Sequence, residues 1–253
     1  FTERLVQAVW EAVREARERV RAALINCGFD FPLKRITANL APADLKKVGP
    51  GLDLALAAAL LGAAGEISIE KLAGWAFAGE LALDGTLRPV RGALAMAEAA
   101  RSMGAAGIVV PPANGGEAAL AHGIEVRTIP SVAGLRELAK GEYSGDRPEP
   151  VDLARTPAQP DLEDLRGQEH LRRALEVAAA REHGILVVGP PGAGKSLAAR
   201  RLPSILPPLA GSEILEVARI ASACGIGAGA ITSTRPFRAP HHTVSPAGLV
   251  GGG

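Results

Sequence analysis

Aromatic side chains are scarce in this 253-residue chain, at 3% of the sequence, so its core has to be built from Ala, Leu, Val and Ile. The same scarcity argues against the stacked aromatic platforms that bind single-stranded nucleic acid. Cysteine is rarer still. Cys27 and Cys224 stand far apart and form no CxxC or Cys/His cluster, which argues against a disulfide framework or a zinc site and for two buried free thiols in a reducing compartment. Net charge is nearly missing, with 28 Lys and Arg against 27 Asp and Glu, so no chain-wide basic field advertises a nucleic acid or an anionic membrane. The longest apolar run, Leu54 to Gly65, falls short of the roughly 18 residues that a spanning helix needs, and no basic-then-apolar leader opens the chain. These absences lead to the expectation of a soluble, cytoplasmic protein with no membrane partner.

What is present is globular in kind. Hydrophobic residues make up 47% and charged residues 22%, too apolar a balance for disorder. The length gives room for one large domain or two ordinary ones, at about 100–200 residues each. The opening Phe1 and the closing Gly251-Gly252-Gly253 raise the expectation of a fragment.

Along the chain, Leu5, Val9, Val13, Ala16, Val20 and Leu24 recur at helical spacing and predict a long amphipathic helix from Glu3 to Ile25. Its other face carries Glu11, Arg14, Glu15, Glu18, Arg19 and Arg21, read as solvated, with Gly28 suited to the left-handed cap that ends it. Arg35 to Leu40 alternates like a strand, and Leu52 to Ala64 is helical. Trp75 to Val90 holds two extended runs around the turn Asp84-Gly85. Helix 92–103, strand 108–110, helix 117–122, strand 125–129 and helix 132–140 complete an α and β unit over residues 1–141. Residues 142–160, with Pro148, Pro150, Pro157 and Pro160, form an extended linker. A second unit over 161–253 begins with a helix through Leu171 to Ala180 and a strand at Ile185 to Val188, so the fold class expected is α/β.

Chemistry concentrates after that strand. Gly189, Pro190, Pro191, Gly192, Ala193, Gly194, Lys195 and Ser196 fit the phosphate-loop pattern GxxxxGK[ST] at every fixed position. Glycines let consecutive backbone N–H groups turn toward a phosphate, Lys195 suits the β/γ oxygens, and the Ser196 hydroxyl suits magnesium. ATP with Mg2+ is the ligand that these residue types favour. Hydrolysis needs more, namely an acidic pair at the end of a second apolar strand. After Lys195 the only acids are Glu213 and Glu216, both in a helical stretch, so binding with little turnover is expected and no catalytic residue is assigned.

The string Asp164 to His170, the phosphate loop, and Arg235-Pro236-Phe237-Arg238-Ala239-Pro240-His241-His242-Thr243 together resemble the magnesium-chelatase-like AAA+ ATPases of the ComM/YifB type. The first unit resembles that family's Lon-protease-like domain in Leu24-Ile25-Asn26, in Thr37 to Asp44 and in Gly79 to Gly92, although Phe1 to Trp10 departs from it. The resemblance implies an ATP-driven homohexameric ring acting on DNA as a helicase or branch-migration motor, in recombination or natural transformation. It also implies that Gly167 and Gln168 lie near the adenine, and that the magnesium-strand acids, sensor and arginine finger fall beyond the Leu249 to Gly252 segment. In active Lon-like relatives a nucleophilic serine follows a Gly-Pro pair and a lysine follows a later glycine turn. Here those positions are Gly51 and about Leu94, which can act as neither, so the resemblance implies an inactive binding or assembly platform.

Two readings stay open. The stretch after the loop is locally basic, and Arg235 and Arg238 suit either DNA phosphates or inter-subunit and nucleotide-sensing roles. His241 and His242, as neighbours on a strand, would point to opposite faces and so would not share a metal. Beside the DNA motor stand a metal-insertion chelatase subunit and a non-catalytic nucleotide-binding scaffold.

Overall fold

The computed structural model describes residues 15–32, 36–38, 50–141, 147–152, 160–226 and 232–251. The architecture is α/β, with two compact units: Phe1–Val151 together with Ala218–Ile231, and Asp152–Val217 together with Thr232–Gly253. No helix among the described residues is long and apolar enough to cross a membrane.

In the first unit residues 15–26 form helix α1, which ends where Gly28 takes φ 72°. Leu5, Val9 and Val13 lie outside the described residues, while Val20 and Leu24 are buried as the spacing predicts. Helix α2 (Asp53–Ala64) buries Leu54, Ala57, Ala58 and Leu61 against Val20, Ala23 and Leu24 of α1 in one aliphatic core. Residues 36–38 belong to no strand and are exposed, which corrects the alternating reading there; Arg35, Asn39 and Leu40 lie outside the described residues.

Strand β1 (Trp75–Phe77) does not join the hairpin that follows it. That hairpin is β2 (Glu80–Leu81) paired antiparallel with β3 (Leu87–Arg88) around Gly85, whereas β1 pairs in parallel with β4 (Gly107–Val110), reached through helix α3 (Ala93–Ser102). Strand β5 (Glu125–Thr128) pairs in parallel with β4 on its other side, giving the order β1-β4-β5. Being central, β4 is buried along its length, which is why Ile108-Val109-Val110 is a continuous apolar run and not an alternating one. Gly107 belongs to that strand for want of space: a Cβ there would come within 2.5–2.8 Å of the Trp75 ring.

Helix α4 spans Pro112–Ala118, earlier than the spacing suggested, because Pro112 opens it at the first turn where no N–H is needed. Its Asn114 side chain accepts from the Val90 N–H and donates to the Val90 carbonyl, both at 2.8 Å. Helix α5 (Gly134–Lys140) closes the core with Leu135 and Ala139.

The second unit is helical. A short 3-10 turn (Leu162–Asp164) precedes helix α6 (Glu169–Arg181), then come the loop, helix α7 (Lys195–Ala199), a 3-10 turn (Leu202–Ile205), helix α8 (Gly211–Ala223), which counts with the first unit from Ala218 on, and helix α9 (Pro246–Val250). Its small core is Leu162, Leu165, Leu175 and Ala198, backed by Leu171, Leu202 and Ile205. Ile185 to Val188 forms no strand, contrary to the pattern, and Leu186 is 88% exposed. The second unit has no strand among its described residues, so this apolar run has no ladder to join.

Candidate functional site

The loop Gly189 to Ser196 runs from that unpaired segment into α7, whose Ala198 anchors it in the small core. Gly192 and Gly194 take φ 81° and 79°, the left-handed region that glycine alone enters freely. The flips turn the backbone back on itself, the arrangement in which successive N–H groups face one concavity. A Cβ at Gly192 would meet nothing, so the loop is open on that side.

Lys195 is half-buried, and its Nζ donates to the Gly189 carbonyl at 2.7 Å and to the Pro190 carbonyl at 2.6 Å. The lysine thus folds back over the loop that carries it, its ammonium held by oxygens that phosphate oxygens can replace. The Ser196 side chain is exposed at the start of α7. On the other flank Gln168, the residue before α6, donates from Nε2 to the Ala193 carbonyl at 2.7 Å. Of Gly167 and Gln168, expected from the resemblance near the adenine, Gln168 reaches the loop itself, at the turn between Gly192 and Gly194. Together these residues fit magnesium-bound triphosphate in kind: left-handed glycines, one ammonium and one free hydroxyl.

The arginines of the basic stretch are largely engaged. Arg201 pairs with Asp164 at 3.1 Å and donates to the Leu197 carbonyl. Arg235 donates from Nε to the Pro207 carbonyl at 2.9 Å and pairs with Glu213 at 3.3 Å. Within the first unit Arg219 grips Glu98, with Nη2 at 2.8 Å from Oε1 and Nε at 2.9 Å from Oε2. A hydrogen bond from the Ala210 N–H, with the charge of Arg235 beside it, holds the Glu213 carboxyl below its ordinary range. Arg200 and Arg238 carry no ion pair among the described residues and are exposed.

His241 and His242 sit at a turn and not on a strand, so their rings do not diverge but lie 4.0 Å apart between centroids. Nδ1 of His241 hydrogen-bonds the Thr243 hydroxyl at 2.8 Å, and no group of three or more metal-ligating side chains occurs among the described residues. Cys224 is exposed where sequence predicted a buried thiol; Cys27 is half-buried and both are free. At the Lon-like positions, Gly51 faces Met96 and Val90, and Leu94 is fully buried. Lys46 and Lys47 lie outside the described residues.

Sequence reasoning missed the buried polar anchors. Glu117 is 4% exposed and accepts from the Leu94 N–H at 3.1 Å and from the Ser222 hydroxyl, while the Ser222 carbonyl accepts from the Gly92 N–H. A lone polar residue inside an Ala-rich run was the available signal.

Residues 4–114 match the family described as subunit ChlI of Mg-chelatase, and residues 161–253 match magnesium chelatase, subunit ChlI. An uncharacterized protein of Mycobacterium tuberculosis is 45% identical over 245 residues, which are 96% of this chain and 48% of that protein. YifB of Escherichia coli is 42% identical over 244 residues, 95% of this chain and 48% of YifB. The competence protein ComM of Haemophilus influenzae is 37% identical over 251 residues, 96% of this chain and 49% of ComM. The chain spans about half the length of the curated relatives it matches.

Proposed function

The chain belongs to the magnesium-chelatase-like family of AAA+ ATPases that includes YifB and ComM, and on that premise we propose that it is the nucleotide-binding portion of an ATP-driven motor acting on DNA. One observation carries the nucleotide step: the loop Gly189 to Ser196, flipped at Gly192 and Gly194 and closed over by Lys195.

In this reading the loop N–H groups bind the phosphates. Lys195 exchanges the Gly189 and Pro190 carbonyls for β/γ oxygens, and Ser196 offers its hydroxyl to Mg2+. Bound ATP supplies the phosphoanhydride bond. Glu213 is tied to Arg235, and Glu216 lies in the same helix, so neither stands at the end of a strand where a magnesium carboxylate belongs. Binding with little turnover is the expected behaviour of this chain, and turnover in a longer protein, of the length of the relatives, requires acids from outside these residues.

DNA as the partner rests on the likeness to ComM, whose name marks a competence protein, and on the exposed Arg238, which has no ion pair among the described residues. A homohexameric ring and a cytoplasmic setting go with that reading. A chelatase-type subunit is the second reading, favoured by the ChlI description of both matched families.

Calorimetric titration with Mg-ATP tests the nucleotide step: the chain binds, and Lys195→Ala abolishes binding. Equal binding by the variant overturns it. ATP hydrolysis by the longer protein, with and without branched DNA, tests the partner. Stimulation and unwinding support the motor, while a flat response that turns on with a porphyrin-binding partner supports the chelatase.

A further inference from the structure

Resting on the reading of residues 189–196 as a phosphate loop, we infer that Gln168 is a positioning residue that acts on the phosphate side of the nucleotide and does not read the base. Three observations meet at this residue. Its side-chain amide is committed to the loop, donating to the Ala193 carbonyl at 2.7 Å. Ala193 lies between Gly192 and Gly194, both left-handed, so the carbonyl that Gln168 holds belongs to the peptide on which the loop reverses. A Cβ on Gly194 would itself lie 3.6 Å from the Gln168 nitrogen, so the amide is seated closely against the turn.

The backbone of Gln168 is fixed as well. It adopts φ 53° and ψ 46°, a left-handed conformation that a residue with a side chain enters at a cost and that clusters at functional sites. Its carbonyl accepts from the Leu171 and Arg172 N–H groups at 2.9 and 3.1 Å, closing the first turn of α6. Leu171 and Leu175 carry that turn into the same small core as Ala198 of α7. Gln168 is thus mounted on a helix of the small core and grips a loop rooted in the same core. Lys195 holds the entry of the loop at Gly189 and Pro190, and Gln168 holds its far turn at Ala193.

A residue spent in this way sets the direction of the loop N–H groups. Its loss loosens every ligand that the loop binds through phosphate and leaves base preference alone. The loss of one such hydrogen bond corresponds to a weakening of about three- to ten-fold.

The experiment compares the full chain with Gln168→Ala, Gln168→Gly and Lys195→Ala, titrating each with Mg-ATP, Mg-GTP and inorganic tripolyphosphate. Gln168→Gly relieves the left-handed backbone while removing the amide, so weakening by that variant comes from the lost clamp and not from strain. The expected result is the same fold-loss for all three ligands in both Gln168 variants, with the ATP-to-GTP ratio that of the parent chain. A collapse of that ratio with tripolyphosphate binding unchanged overturns the inference and makes Gln168 a base-reading residue. Parent-like affinity for all three ligands also overturns it, leaving the phosphate-loop reading intact provided that Lys195→Ala fails to bind. Parent-like binding by Lys195→Ala, or no binding by the parent chain, overturns both.

Discussion

Arg19 meets Asp53 along two parallel contacts, Nε to Oδ2 at 2.8 Å and Nη2 to Oδ1 at 3.2 Å, and the Asp53 side chain is almost wholly buried while that of Arg19 is a quarter exposed. The carboxylate also accepts from the Leu81 N–H at 3.3 Å, so one acid at the start of α2 ties together α1, α2 and the β2–β3 hairpin. The pair raises the affinity of Arg19 for its proton, mainly through the hydrogen bond to Asp53. Removing one partner of a buried pair strands the other. Asp53→Ala is expected to lower stability by about 2–3 kcal/mol, towards the low end because water reaches Arg19. Urea denaturation measures it, and a double-mutant cycle with Arg19→Ala should return a coupling well above that of the exposed Arg17–Glu18 pair.

Gly107 supplies a second test, independent of charge. With the Trp75 ring 2.5–2.8 Å from where a Cβ would stand, Gly107→Ala must displace either an indole or the central strand. The expected cost is about 1–3 kcal/mol, the range of an overpacked core. Trp75→Leu should relieve much of it, and a double variant no more stable than Gly107→Ala alone would contradict the steric account.

The Glu98–Arg219 pair makes the first unit sensitive to acid. Hydrogen bonds from Arg219 hold the Glu98 carboxyl below its ordinary value, partial burial opposes them, and the charges of Arg219 and Arg101 assist. A carboxyl with a lowered folded pKa contributes in full above its unfolded value and loses that contribution as pH falls through the folded one. Glu98→Gln is therefore expected to destabilise the chain at neutral pH and to converge with the parent chain as pH falls below the ordinary glutamate range. Denaturation midpoints across that interval show it, and a constant gap at every pH would remove the pair as its cause.

The two thiols should separate kinetically. Burial raises the Cys27 pKa, which cuts its reactive thiolate, and Cys224 is exposed. Under limiting maleimide at mildly alkaline pH, peptide mass spectrometry should find Cys224 modified first. Unfolding in urea should bring the two rates together.

Elements whose pattern matched their own surroundings were legible in the sequence. Val20 and Leu24 on the buried face of α1, the Ala/Leu helix α2, the hairpin at Gly85 and the glycine turn at Gly192 and Gly194 each carry their reason within a few residues. What escaped depends on partners distant in sequence. Arg19 looked like one more solvated arginine because Asp53, which claims it, lies 34 positions away. Gln168 was singled out only through the family resemblance, as a residue near the adenine, and its grip on Ala193 spans 25 positions and leaves no local trace. His241 and His242 were read as if on a strand, and only the turn brings their rings together.

Ile185 to Val188 is the most instructive mismatch, because β-pattern alone does not make a strand; a neighbour must offer a ladder. Leu186 and Val188 are 88% and 84% exposed, so they contribute almost nothing to the stability of this chain. Leu186→Ser is accordingly expected to shift its unfolding by less than about 0.5 kcal/mol, the range of ordinary surface changes. If a segment outside these residues supplies the missing neighbours, the same substitution in its presence buries a hydroxyl in place of a leucine and should cost about 2–5 kcal/mol. Measuring Leu186→Ser in both contexts separates an intrinsic loop from an unpaired strand, since equal, negligible effects would leave these four residues as loop in either.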